Sequence, residues 1–375
     1  MNIAIRRSPC ALIPALLLAG CSSANPTESV ETASAAIIAA PGAVAGAVFT
    51  QTNAAEGNEL VEYARAPGGA LTLSGRFATG GAGLGTGLSA QGALAREGRW
   101  LFVVNAGSSD VSTFDLAQDP PRLASRVPSG GTQPVSVTAR NGIVYVLDAG
   151  GAGNIAGFRL DPGGMLNAIA GSVRPLSGAS VTPTQVAFSP DGDTLIVTEK
   201  GDNQIDAYYV DVAGRAEGPV VNPSNGAAPF GFDFSPRGEL IVSEAAASAA
   251  SAYAVLGEVH LASISASVAN TQSAACWLVV SPDGSVAFTA NAGSGTLSSY
   301  RIERGGALAL ESAVAGSTGV GSHPVDMAFD ATGRHLYALA NGAGTITAFE
   351  ASGGHLANIG AVDSLPTSAT GLVAW

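Results

Sequence analysis

Seven recurrences of one strand-and-turn phrase predict an all-β chain: a seven-bladed β-propeller with four antiparallel strands in each blade. Three observations carry that expectation. The phrase returns about every 48 residues, its copies fill the sequence from Val44 to Trp375, and no long apolar pattern of helical period competes with them. The length suffices, since 375 residues with 46 % apolar content can bury a sizeable core and are not a mainly disordered chain.

Each copy runs as an apolar strand, a Pro-Asp-Gly-like turn, a second apolar strand ending on a polar residue, a Gly-rich turn and an alternating third strand. The first turn is Ser189-Pro190-Asp191-Gly192 in one copy and Ser281-Pro282-Asp283-Gly284 in another. Looser forms are Ser235-Pro236-Arg237-Gly238, Arg96-Glu97-Gly98 and Ala331-Thr332-Gly333. Proline presets the negative φ of the first corner, and glycine takes the position where a side chain would clash. The second strands end on Asn53, Asn105, Asp148, Glu199, Glu244, Asn291 and Asn341. Their near-continuous apolar runs, such as Leu195-Ile196-Val197, predict burial on both faces. Alternation, as in Val111-Ser112-Thr113-Phe114-Asp115, marks half-exposed strands. A fourth strand often follows a Gly-Gly turn, as at Gly306-Ala307-Leu308. One stretch is discordant: Glu244 to Ala250 is Ala-rich and reads as an enlarged turn in the fifth blade, with room for one helical turn.

The two ends of the repeat fit each other. The first copy starts directly at its second strand, Val48 to Asn53, and Thr370-Gly371-Leu372-Val373-Ala374-Trp375 is a strand without a copy of its own. That strand is expected to complete blade one and close the ring, leaving no open edge.

Ahead of the repeat, Arg6-Arg7 and the ten-residue apolar run Ala11 to Gly20 read as a secretory signal, too short to span a membrane. Leu18-Ala19-Gly20-Cys21 resembles the lipobox of bacterial lipoproteins, which implies an acylated Cys21, export, and a place in the cell envelope, held to the outer membrane or facing the periplasm. The expected organisation is a signal over 1–20, a lipid-anchored tether over 21–43 and the propeller over 44–375. With Cys10 removed along with the signal and Cys21 acylated, Cys276 is the one free thiol, and no internal disulfide can form. The net charge of −12 makes nucleic acid and anionic membrane surface poor partners for the chain as a whole. A monomer is expected.

The phrases VVNAGSSDVSTF, VLDAGGAGNIAGF and FSPDGDTLIVTEKGDNQIDAY resemble those of the lactonase-like seven-bladed propellers, a group that includes propeller-type 6-phosphogluconolactonase and fungal carboxymuconate cycloisomerase. The resemblance covers about 330 residues. It implies a polar cluster at the mouth of the central channel: His residues starting one inner strand, an Arg-His pair after a Pro in the next blade, and a Glu ending that blade's second strand. At those positions this sequence has Gln133-Pro134-Val135, then Thr184-Gln185 after Pro183, and Glu199. Glu199 is therefore the inherited candidate for a general base, with Gln133 and Gln185 as neutral ligand contacts beside it.

The residues themselves leave alternatives open. Glu199 and Glu244 read either as turn residues accepting backbone N–H groups or as two carboxylates facing the axis, fit for acid–base work or a hard cation such as Ca²⁺. His323, before Pro324, reads as a loop histidine or a ligand contact at the channel edge. Lys200, the single lysine, reads as a solvated turn residue, and Cys276-Trp277 as the start of a buried inner strand. The Gly-rich run from Gly80 to Gly87 reads as a connection between blades, not a dinucleotide loop. No His-x-His, HExxH, Cys pair or Gly-x-Ser-x-Gly occurs, so neither a metal nor a cofactor is expected. Two functions fit: a binding platform for a small molecule or protein at the channel mouth, with a degenerate catalytic site, or a lactone hydrolase or cycloisomerase working through Glu199.

Overall fold

The computed structural model describes residues 44–375, so the expected signal, the lipidation site Cys21 and the tether lie outside the described residues. Those residues form seven antiparallel sheets, six of four strands and one of five. In the fourth blade, Pro183–Phe188, Thr194–Glu199, Gln204–Val210 and Ala216–Pro223 succeed one another from the axis outward. The turn chemistry is as the sequence requires: Gly192 sits at φ 85° and its N–H meets the Ser189 carbonyl at 3.0 Å. Second strands are buried throughout in Trp100–Asn105, Thr194–Glu199, Val286–Asn291 and His335–Ala340. Strand pairing puts one aromatic at the same place in every third strand: Tyr63, Phe114, Phe158, Tyr208, Tyr253, Tyr300 and Phe349. All seven are buried, at roughly 1.5–3 kcal/mol each for a large apolar side chain.

The ring closes as expected. Thr370–Ala374 pairs with Gly46–Gln51, Phe49 opposite Val373 and Thr50 opposite Leu372, which makes it the inner strand of blade one.

Four details differ from the expectation, the first being that Asp110–Asp115, whose alternation predicts a half-exposed strand, is buried throughout. The Ala-rich stretch is no enlarged turn: Leu240–Glu244 and Ala249–Leu256 are strands joined by four residues. Ala249, Ala250 and Ala252 are buried, so close packing overrides their helix propensity. In the third blade the outer strand is broken into Leu166–Ala168 and Arg174–Pro175, and the Ser172 hydroxyl takes the Gly157 N–H at 3.0 Å instead. Finally, pairing aligns Thr52 and Ala340 with Glu199, so Asn53 and Asn341 belong to the turns and do not end their strands.

Candidate functional site

Five innermost strands begin alike. Gln133, Thr182, Ala228, Ala274 and His323 hold left-handed φ values between 51° and 58° just before their strands. Such backbone is strained for a residue with a side chain, and the surroundings must hold it. Here the hold is visible, because each carbonyl accepts the N–H of the residue following its blade's second strand. Those residues are Ala149, Lys200, Ala245, Ala292 and Asn341, at 2.9–3.2 Å. The two sets together make the rim of the channel mouth.

The channel is plugged. Residues 79–93 join the outer strand of blade one to the inner strand of blade two, and Leu88, Ala90 and Gln91 of this connection are buried. Gln91 donates its N–H to the Thr184 carbonyl at 2.9 Å, and its side-chain amide both donates to Leu278 O at 2.7 Å and accepts Leu278 N–H at 3.0 Å. The Trp277 indole reaches Ala90 O at 3.1 Å, and Val137 N–H reaches Gly92 O at 2.8 Å. One short segment thus touches the third, fourth and sixth blades. Gly231 makes room for it, since a Cβ there would lie 2.0 Å from Gln91 Oε1.

Between the plug and the rim of blades three and four lies a cavity of about 330 Å³, lined by Leu88, Ser89, Gln133, Val135, Thr182 and Lys200 among others. Lys200 is not the solvated turn residue expected. Its ammonium donates to Ser89 Oγ at 2.8 Å and Ser89 O at 3.3 Å, and lies 5.0 Å from the centre of the Phe230 ring. Burial lowers its pKa, and the nearby Cys276 opposes that shift. Burial pushes the Cys276 thiol up to about 11, so it stays protonated at neutral pH.

The other candidates disperse. Glu199 is fully buried and faces the third-blade side, where it accepts the Ser177 hydroxyl and the Ser177 N–H, the latter at 3.2 Å. Asp206 accepts the same N–H at 2.8 Å and bonds to Glu199. Burial, then the Glu199 charge, lifts Asp206 to about 8; burial also raises Glu199 against the Ser177 hydrogen bonds. The two carboxyls therefore titrate together and not as independent acids. Glu244 is fully buried as well and accepts from Ser251 and, at 2.5 Å, from Ser267. Glu199 and Glu244 share no partner. Glu199 reads better as a tie than as a simple turn residue, because Asn105 to Thr79, Asp148 to Ser129 and Asn291 to Asn270 repeat its link from a second strand to the connection arriving from the previous blade. Glu244 instead ties strands of its own blade, through Ser251 and Ser267. Gln185 grips the backbone of Phe232 with both ends of its amide, at 2.9 and 2.7 Å, and so seals the inner edge of the fifth blade. Gln133 lines the cavity, and His323 stands exposed on the rim in the seventh blade.

Two further carboxyls sit on inner strands, Asp326 buried and Asp233 partly so. Asp233 accepts the Val280 N–H at 2.9 Å and Asp326 the Met327 N–H at 2.9 Å, each on an inner strand. Burial raises them to about 6 and about 8. A lone Asp inside an apolar inner strand is the signal that was available. Among the described residues, no group of three or more His, Cys, Asp or Glu is placed to hold a metal ion.

Fold and pairing together define a seven-bladed β-propeller. Residues 242–371 match the family model "Lactonase, 7-bladed beta-propeller". The periplasmic gluconolactonase of Pseudomonas aeruginosa superposes with a TM-score of 0.69 at 16% identity, over 88% of this chain and 98% of that one. A candidate 6-phosphogluconolactonase of Bacteroides uniformis gives 0.69 at 20% identity, over 87% and 98%. A functionally unknown protein of Desulfotomaculum acetoxidans gives 0.72 at 14% identity, over 88% and 98%. No curated protein sequence matches the chain.

Proposed function

We propose that the chain is an exported, lipid-anchored, lactonase-like propeller that binds a small polar ligand in its mouth cavity and hydrolyses lactones poorly or not at all. The observation that carries this reading is the commitment of Glu199 to Ser177 and Asp206 inside the fold. A general base must reach the proton it removes, and this carboxylate is fully buried. Gln133, Thr184 and Gln185 add neither an imidazole nor a guanidinium. The lipid anchor rests on the Leu18-Ala19-Gly20-Cys21 motif alone. A pH-indicator assay with 6-phosphogluconolactone and gluconolactone between about pH 5 and 9 tests the catalytic half. No rate above spontaneous hydrolysis is expected, and robust turnover would overturn it. Cys21→Ala tests the anchor: the variant should leave the detergent phase, and retention there would refute lipidation.

A second reading, lactone hydrolysis, draws on the family match and on the names of the structural neighbours. In this chain it would have to work from the mouth cavity, not from Glu199. Turnover unchanged in Glu199→Gln would favour it.

A further inference from the structure

We propose that Lys200 is the anion-binding residue of the mouth cavity, holding the carboxylate or phosphate of a small sugar acid. This rests on the reading of the cavity as a ligand site, and three independent observations support it.

The first is a break in the repeat. Pairing aligns Lys200 with Ala106, Ala149, Ala245 and Ala292, so four other blades place a methyl group where this one places an ammonium. The fold needs nothing larger than alanine there. The second is charge. In a chain of net −12, the described residues lining the cavity include one cation, Lys200, and no carboxylate. The neutral groups around it, among them Ser89, Gln133, Ser180 and Thr182, suit the hydroxyls of a polyol. The third is donor geometry. An ammonium has three N–H donors, and among the described residues the acceptors of Lys200 are the two oxygens of Ser89. One donor remains for a ligand, in a partly buried setting where a charge-assisted hydrogen bond is stronger than in water. A volume of about 330 Å³ suits a small ligand.

A purely structural alternative exists, in which Lys200 does no more than tether Ser89 and hold the plug. Because the sequence has a single lysine, incorporating lysine labelled with carbon-13 at Cε and nitrogen-15 at Nζ gives one side-chain signal, leaves all three N–H donors in place and separates the two. Gluconate should move that signal saturably, while glucose 6-phosphate and inorganic phosphate, which carry no carboxylate, tell carboxylate from phosphate. Glucose, a neutral polyol, should leave it in place. By calorimetry, Lys200→Met should weaken gluconate binding by about tenfold or more, and Lys200→Arg should largely keep it. Ala152→Trp, an exposed lining residue, should obstruct the cavity and abolish binding.

The inference falls if no anion moves the signal, if glucose moves it as gluconate does, or if Lys200→Met binds gluconate as tightly as the parent. Binding lost in Ala152→Trp but kept in Lys200→Met refutes the role of Lys200 and leaves the cavity as the site. Binding kept in both refutes the cavity as well. Should Lys200→Met melt early, Lys200→Arg and the labelled parent still decide the matter.

Discussion

Arg65 Nη1 lies 3.3 Å from Asp330 Oδ2 across the seam between the first and seventh blades, and both side chains are buried. His335 Nδ1 meets the same oxygen at 2.7 Å, while Arg65 also donates to the carbonyls of Trp375 at 3.2 Å and Ala45 at 2.8 Å. Burial alone would raise the Asp330 carboxyl, but hydrogen bonds led by that of His335, with the Arg65 charge, hold it below the usual range. Asp330→Asn would leave the guanidinium buried without its counter-charge, at a cost of about 3–5 kcal/mol. Urea denaturation measures it, and a loss within error would show that the pair contributes nothing to closure.

Removing Thr370 to Trp375 strips the inner strand from blade one and exposes the edge of Gly46–Gln51. Trp375 stacks on Phe49 with ring centres 5.0 Å apart and planes at 13°, so the deletion also opens an aromatic contact. With roughly 1.5–3 kcal/mol per large buried side chain, the loss rivals the net stability of a typical domain. The truncated protein should aggregate or melt much lower. An unchanged Tm would mean that the strand is dispensable.

Asp326 titrates near 8 in the folded protein against an ordinary carboxyl value near 4 when unfolded. The folded state binds the extra proton between those values, so this contribution to stability is full in acid and is lost as pH rises through about 8. Asp326→Asn cannot ionise. From about pH 5 to pH 9 the parent should lose at least about 1–2 kcal/mol more stability than the variant. Parallel curves would show that Asp326 is not the group responsible.

Glu199 should matter to the fold before it matters to any reaction. Glu199→Ala removes the carboxylate that Ser177 and Asp206 share and should cost about 1–3 kcal/mol. Glu199→Gln removes one of the two coupled acids, so its stability should fall less than the parent's as pH rises through about 8. Both are read by thermal melts at two pH values. A Glu199→Ala variant as stable as the parent would contradict the tie.

The fold was legible because turn chemistry and strand period repeat locally, as at Ser189 to Gly192, and because the unmatched strand Thr370 to Trp375 had one place to go. The site was legible only in part. That Glu199 and Glu244 end buried strands could be read from the residues, but the direction of each side chain depends on pairing across the blade. Pairing register also moved Asn53 and Asn341 into the turns. The sequence did hold the sign of Lys200, an Asn-Ala, Asp-Ala or Glu-Ala step in five copies and Glu-Lys in one. What no local pattern could show is the reach of Gln91, whose partner Leu278 lies 187 residues away.

That reach also sets an order of assembly. Blade two has all of its strands once the chain has passed Pro128, yet the segment just ahead of it finds Leu278 and Trp277 only when the sixth blade exists. Contacts so distant in sequence carry the largest loop-closure cost and form late. The axis of a growing ring therefore stays open while its early blades mature, and Gln91 locks it as a keystone locks an arch. A chain interrupted anywhere before residue 278 keeps an unlocked centre, however many blades it has already finished.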